Sequence, residues 1–224
     1  MSEPVLHYLY DPFCGWCYGA APMISAAQNI SDLKIKAHGV GMLSGDKAKI
    51  MSAEWRDFVR PHEELIHLYS RQEFGDAYVN GVQQREDVVL DSSPPIAAML
   101  LAEQISGRGI DMLKRLQTAY YKDGRAIADK SVIGEIAAEL GFDEKSFVVH
   151  LDDLVRNQIA GHIADSNELL KTLGARGFPA FAMEIDGALH VLPLGGYLAR
   201  PSLFKTDIEA LLQKSQTARI NSRR

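Results

Sequence analysis

The sequence predicts an α/β protein in which a mixed sheet is interrupted by an all-helical insertion. Strand patterns occur only towards the two ends of the chain, at residues 5–10, 33–40, 180–185 and 188–192. Between them, apolar residues recur at the spacing of amphipathic helices. Asp186-Gly187 separates the last two strand patterns and is typical of a two-residue hairpin turn, so these strands are expected to be antiparallel.

The amino-terminal part has the order strand, helix, strand. Residues 5–10 are β-branched and aromatic, which favours a strand, and residues 18–29 are rich in Ala, Met, Ile and Gln, which favours one helix. Residues 33–40 begin with an apolar–polar alternation that indicates a second strand. A strand–helix–strand order predicts two parallel strands joined by a right-handed crossover.

The central part carries helix start and stop signals. Ser52 is expected to cap a helix that Pro61 breaks or restarts. Residues 92–95 (SSPP) begin another helix with proline in its first turn, and Ser131 and Asp143 are expected to cap two more. The insertion is therefore predicted to be wholly helical.

These patterns predict a discontinuous domain. Residues 1–45 and 175–215 are expected to form the sheet-containing domain, and residues 46–174 the helical insertion. Residues 216–224 are polar and basic, and we expect them to form a flexible tail.

The composition excludes several classes of protein. Of the 224 residues 46% are hydrophobic, which is ample for a core, and the net charge of −5 argues against a nucleic-acid-binding surface. No apolar run approaches the length of a membrane span. Residues 1–4 carry neither a basic region nor an apolar core, so no secretory signal is recognised and a cytoplasmic location is expected.

The chain has two cysteines, Cys14 and Cys17, and both lie where the first strand is followed by a helix. The first turn of a helix presents unpaired N–H groups and the positive end of the dipole, which stabilise a thiolate and lower its pKa. Two sulfurs three residues apart lie on the same helix face and can form or open a disulfide. This arrangement predicts a redox pair that supplies an attacking and a resolving sulfur.

Two other readings of the cysteine pair are weaker. A structural zinc site needs four ligands, but there is no second cysteine pair, and His62 and His67 lie far outside finger-like spacing. A purely structural disulfide would close so short a loop that it would constrain the unfolded chain little. We therefore expect no metal and no cofactor other than the cysteine pair.

Residues 11–18 (DPFCGWCY), residues 177–181 (GFPAF) and the Gly195-Gly196 loop together resemble the DsbA family of thiol–disulfide oxidoreductases, and within it the cytoplasmic FrnE-like branch. The resemblance covers nearly the whole chain. It implies a thioredoxin-like fold, catalytic roles for Cys14 and Cys17, and polypeptide substrates that carry thiols or disulfides.

The resemblance also implies a substrate-binding surface beside the cysteines. It gives Pro179 a cis peptide bond, and the backbone of Phe178 can then pair with an extended substrate as an added strand. Trp16 is expected to be exposed and to form an apolar rim with Phe13 and Phe178.

The sequence departs from the family at Tyr8. Thioredoxin and DsbA carry an acidic residue at this position, six residues before the first cysteine, where it helps to deprotonate the resolving cysteine. Glu184, His38 or a water molecule are candidates to replace it.

Two alternative functions stay open at this point. Kappa-class glutathione transferases and 2-hydroxychromene-2-carboxylate isomerases are similar in layout, but they use a serine in place of the first cysteine; this reading makes glutathione a further candidate partner. The third reading is a non-catalytic module that binds zinc or extended peptides through the same surface.

Overall fold

The computed structural model describes residues 3–221, with side chains for residues 3–217. The strands of this part are β1 Val5–Tyr10, β2 Lys34–Gly39, β3 Lys49–Ile50, β4 Val89–Leu90, β5 Ala180–Ile185 and β6 Ala188–Leu192. The helices are α1 Gly15–Gly19, α2 Ala21–Ala27, α3 Ala53–Ser70, α4 Ser93–Ser106, α5 Gly109–Tyr121, α6 Lys130–Glu139, α7 Glu144–Asn157, α8 Ile159–Thr172 and α9 Pro201–Asn221.

The main sheet is mixed and has the strand order β2-β1-β5-β6. β1 pairs in parallel with β2 and antiparallel with β5, and β6 pairs antiparallel with β5. Asp186 and Gly187 connect the last two strands with φ values of 54° and 80°, as a two-residue hairpin turn requires. The predicted strands and the mixed sheet are thus confirmed. β3 and β4 form a separate two-stranded ribbon within the segment that was expected to be wholly helical, so that expectation is wrong at these residues.

The prediction of one helix over residues 18–29 is wrong. α1 ends at Gly19, and α2 begins at Ala21 after a short break. Pro22 lies in the first turn of α2. Because proline has no N–H to donate to a carbonyl four residues earlier, it interrupts the helical ladder there and starts a new helix.

α3 to α8 lie between β2 and β5 in the chain. Ser52 caps α3 by accepting a hydrogen bond from the N–H of Trp55 at 3.2 Å, but α3 continues through Pro61, so the expected break there is wrong. A helix can continue past a proline that costs it a single hydrogen bond. Asp143 caps α7 as predicted, whereas α6 is capped by Asp129 two residues before the predicted Ser131.

Two hydrophobic clusters meet at the first helix. One is built largely from the helical insertion and includes Phe13 and Tyr18, and the other lies on one face of the main sheet and includes Cys14 and Cys17. The cysteine motif therefore lies at the seam between the sheet and the helical part. The exact domain boundaries stay a prediction.

The segment predicted to be a flexible tail comprises residues 216–224. α9 continues to Asn221 and so includes most of this segment, and residues 222–224 lie outside the described residues. None of the helices in the described part of the chain is both long and apolar enough to cross a membrane.

Candidate functional site

Cys14 is the N-cap residue of α1, and its backbone is extended, with φ −86° and ψ 111°. Its carbonyl accepts hydrogen bonds from the N–H groups of Cys17 at 2.9 Å and Tyr18 at 3.1 Å, which closes the first turn of the helix. Both cysteines are free thiols in this structure. Cys14 is 8% exposed and Cys17 is fully buried, so Cys14 is the more accessible sulfur of the pair.

The loop before β5 lies against the first cysteine. The Phe178–Pro179 peptide bond is cis, as predicted, and the Cys14 thiol donates to the carbonyl oxygen of Phe178 at 3.8 Å. Pro179 itself is buried, and the Phe178 side chain is partly buried. The loop therefore presents its backbone beside the accessible sulfur, which is where an extended substrate must lie.

Burial raises the pKa of the Cys17 thiol well above its usual value, because a thiolate loses its hydration there. The adjacent Cys14 sulfur raises the pKa further, and the backbone of Asp11 lowers it in part. Cys17 is therefore held as a thiol in the resting reduced protein.

A cavity of about 390 Å³ opens beside Cys14, between α1, α3, α5 and the loop before β5. Aromatic and aliphatic side chains form most of its wall, and His62, Glu63 and Arg176 contribute polar groups. Its volume falls within the usual range of small-molecule sites, roughly 300–1,000 Å³.

The predicted apolar rim is only partly present. Trp16 is partly buried and lies 6.5 Å, ring to ring, from Tyr69 on α3. Phe13 is 5% exposed and packs edge-on against Tyr120 at 4.9 Å, so the expectation that it is an exposed rim residue is wrong. Phe13, Trp16 and Phe178 nevertheless all line the cavity.

Tyr8 occupies the position of the missing acidic residue. Its hydroxyl donates to the carbonyl of Cys17 at 3.2 Å, and its ring stacks on Phe181 at 5.1 Å. Burial raises the pKa of Tyr8 well above 10, so the phenol stays protonated. Tyr8 therefore supports the backbone of the resolving cysteine and does not take its proton.

The two side chains proposed to replace the missing acid lie elsewhere. His7 faces the side of β1 opposite to Tyr8; one of its ring nitrogens lies 2.9 Å from Glu184 Oε2, and the other lies 2.9 Å from His38 Nε2. Glu184 and His38 are thus on the sheet face away from Cys17, and assigning either of them as its proton acceptor is wrong.

Sequence reasoning gave no role to Asp11, which is fully buried next to the cysteine motif. Its carboxylate accepts hydrogen bonds from Phe13 N at 2.9 Å, Met42 N at 2.6 Å and Ser92 Oγ at 2.9 Å. Burial raises its pKa from 3.8 to about 6, against the effect of these three donors. The one signal available in the sequence is an acidic residue in an otherwise apolar run between strand and cysteine.

Among the side chains that the structure describes, no group of three or more histidine, cysteine and carboxylate residues is arranged to hold a metal ion. The chemistry that this geometry supports is exchange at sulfur, because an accessible thiol, a buried thiol and an open cavity meet at one point.

The comparisons with known proteins agree with this site. The family described as DSBA-like thioredoxin domain matches residues 5–193. No curated protein sequence matches the chain. The cytosolic disulfide reductase DsbM from Pseudomonas aeruginosa is 42% identical, with a TM-score of 0.88 over 93% of this chain and 98% of that chain.

The same protein solved with GSH is 40% identical, with a TM-score of 0.86 over 93% of this chain and 99% of that chain. A 2-hydroxychromene-2-carboxylate isomerase is 12% identical with a TM-score of 0.58, over 96% of this chain and 98% of that chain, which shows a shared fold alone. The protein has the fold and the cysteine pair of a thiol–disulfide oxidoreductase, and it belongs to the DSBA-like thioredoxin domain family.

Proposed function

We propose that Cys14 is the sulfur that attacks substrates and that Cys17 resolves the resulting mixed disulfide. The observation that carries this assignment is the difference in access between the two thiols: Cys14 lines an open cavity, whereas Cys17 is fully buried behind it. A bulky disulfide can reach only the first, while the second can still reach the sulfur of its own partner.

The exchange has two steps. In the first, the Cys14 thiolate attacks one sulfur of a substrate disulfide, forms a mixed disulfide and releases the other sulfur as a thiolate. In the second, the Cys17 sulfur attacks Cys14, the bond from Cys14 to the substrate breaks, and the second substrate sulfur leaves as a thiolate. The substrate gains two electrons and the cysteine pair loses two, so no bound cofactor is needed.

We further propose that the net reaction is reduction of disulfides in the cytoplasm, with glutathione as a partner. Support comes from DsbM, a cytosolic disulfide reductase that is 42% identical and has also been solved with GSH. The cavity of about 390 Å³ has a volume suited to a short peptide thiol. Arg176 lines the cavity and supplies a guanidinium group that can pair with a peptide carboxylate.

The first test is turnover of insulin or a model disulfide peptide in the presence of glutathione. Cys14→Ser should abolish turnover, and Cys17→Ser should accumulate mixed disulfides that mass spectrometry detects. Unchanged turnover by the Cys14→Ser protein would remove the proposal.

The second test concerns direction and partner. Equilibration of the cysteine pair with glutathione should give a potential near that of thioredoxin, about −270 mV, whereas a value near about −120 mV would indicate an oxidant. Arg176→Ala should raise the glutathione concentration needed for half-maximal turnover. Arg85→Ala is the matched control, because the Arg85 guanidinium pairs with Asp87 on the surface. This variant should leave the glutathione concentration for half-maximal turnover unchanged.

A further inference from the structure

The cavity beside Cys14 combines an aromatic wall with a single acidic side chain. Eight of its lining residues are phenylalanine, tyrosine or tryptophan, and Glu63 is the only carboxylate among the described residues that line it. Aromatic rings attract a cation that lies over their faces, and a carboxylate forms a strong, charge-assisted hydrogen bond with an ammonium group. The composition of this wall therefore suits a positively charged nitrogen group.

Two buried donors hold the Glu63 carboxylate in place. The Tyr78 hydroxyl donates to Glu63 Oε1 at 2.6 Å, and Gln83 Nε2 donates to the same oxygen at 3.0 Å. Tyr78 is 2% exposed and Gln83 is 5% exposed, so neither donor is shared with bulk water. An O–H···O distance of 2.6 Å is typical of a hydrogen bond to an ionised acceptor. The carboxylate is thus oriented before any ligand arrives, which lowers the entropy cost of binding.

The second oxygen of Glu63 has capacity for a ligand. Within the described part of the chain, Oε2 accepts no hydrogen bond and Glu63 forms no ion pair, whereas each carboxylate oxygen has about two acceptor sites. The side chain is partly buried, and burial raises the pKa of Glu63 although its two donors and the charge of Arg60 lower it. Its negative charge is therefore incompletely hydrated, and a ligand cation would stabilise it.

The cationic side chains near the cavity leave this carboxylate unpaired. His62 and Arg176 line the cavity but are exposed to solvent, and Arg60 is exposed one turn before Glu63 on α3. None of these three described side chains lies within ion-pair distance of Glu63, so an incoming ammonium group does not have to displace an existing partner. Arg176 has the opposite charge to Glu63, and a substrate that carries both signs of charge can use both side chains.

We propose that Glu63 binds an ammonium group of the substrate, so that the protein prefers disulfides that carry this group near the reacting sulfur. The carboxylate pairs with the ammonium group inside the aromatic wall while Cys14 attacks the substrate sulfur. The free amino group of glutathione and the side chain of a lysine beside a substrate cysteine present this same chemistry. Glu63 sets specificity and takes no part in the exchange of bonds. The inference rests on the attacking role proposed above for Cys14.

Two pairs of disulfides, matched except for the charge on nitrogen, test the proposal. The first pair is glutathione disulfide and the same disulfide acetylated on both amino groups. The second pair is the disulfide of acetyl-Cys-Lys-amide and that of acetyl-Cys-norleucine-amide. Each disulfide is mixed in excess with the reduced protein at pH 7.5, and the rate constant for oxidation of the cysteine pair is measured by acid quenching, alkylation and mass spectrometry. Division by the rate constant of the same disulfide with mercaptoethanol removes differences in intrinsic reactivity.

The charged member of at least one pair should react at least about tenfold faster than the neutral member, which corresponds to about 1.4 kcal/mol. The pair that shows the preference identifies the source of the ammonium group. Glu63→Gln keeps an acceptor oxygen for Tyr78 and should abolish the preference. Glu64→Gln is the matched control, because it removes the same charge from the next residue of α3, which is exposed and does not line this cavity. This control should keep the preference.

Equal rates within both pairs in the unaltered protein would overturn the proposal, as would a preference that persists in Glu63→Gln. Equal slowing of both members in that variant, with the preference retained, would show that Glu63 only ties α3 to the turn that contains Tyr78 and Gln83. If Glu63→Gln does not fold, a water-soluble carbodiimide applied to the unaltered protein should couple Glu63 to the amino group of the preferred disulfide's S-methylated thiol, and coupling to other carboxylates alone would overturn the proposal. Failure of every disulfide to oxidise the cysteine pair would instead overturn the proposed function.

Discussion

Acid should destabilise the protein through His38, which is 9% exposed on β2. Burial lowers the pKa of this imidazole from 6.5 to about 3, and the neighbouring His7, Lys36 and His162 lower it further. The rings of His38 and His7 also stack, with centroids 5.1 Å apart. A charged His38 would thus be poorly hydrated and close to other cationic groups.

The sign and size of the effect follow from linkage. The pKa of His38 is lower in the folded state than in the unfolded chain, so its contribution to stability is complete above pH 6.5 and is lost progressively as the pH falls towards 3. Each unit of pKa difference corresponds to about 1.36 kcal/mol. Between pH 7.5 and pH 4.5, the unfolded chain gains nearly one proton at this site, and the contribution of His38 to the free energy of unfolding should fall by roughly 2–3 kcal/mol.

Urea unfolding followed by tryptophan fluorescence at these two pH values measures the effect. His38→Gln should lose roughly 2–3 kcal/mol less than the unaltered protein over this range. His190→Gln is the matched control, since His190 is exposed on β6 of the same sheet, and it should behave like the unaltered protein. The reasoning is refuted if His38→Gln loses as much stability on acidification as the unaltered protein does.

Other substitutions test the packing around the site. Gly124→Ala should destabilise by more than about 3 kcal/mol in urea unfolding, because φ is +67° and the new methyl would meet the backbone of Ala77; a loss below about 1 kcal/mol would contradict this. Ile66→Ala should cost about 2–4 kcal/mol and lower turnover, since this buried side chain packs α3 closely on Gly15 and Gly19; stability loss with normal turnover would show that α3 does not position the motif. Tyr8→Phe removes the hydrogen bond to the carbonyl of the buried cysteine and should cost about 1 kcal/mol in thermal unfolding, and no loss would show that this bond is neutral.

Features encoded in short segments of sequence could be predicted. The strands of the main sheet, the hairpin at Asp186-Gly187 and the position of Cys14 at a helix start all follow from local signals, and the structure confirms them. Pro22 is likewise a local signal for the break between α1 and α2, but the composition on both sides of it favours helix, which is why the sequence predicts one helix there.

Features that depend on distant segments could not be predicted. The Asp11 carboxylate accepts hydrogen bonds from Met42 and Ser92, which lie 31 and 81 residues further along the chain. No local sequence pattern predicts that these residues are in contact. The burial of Phe13 likewise depends on Tyr120, in the helical insertion. At Pro61, the local rule favoured a break that the long helix α3 does not make.

The alternation of side chains along β1 keeps two pH effects apart in this molecule. Tyr8 and Tyr10 face the cysteines, whereas His7 faces Glu184 and His38. A slip of one residue in register would exchange the two sets of side chains. Titration of the histidines should therefore change stability without directly changing the reactivity of Cys17. The rate at which Cys17 resolves a mixed disulfide should therefore depend on pH in the His38→Gln protein as it does in the unaltered one, because His38 lies on the other side of the strand from Cys17.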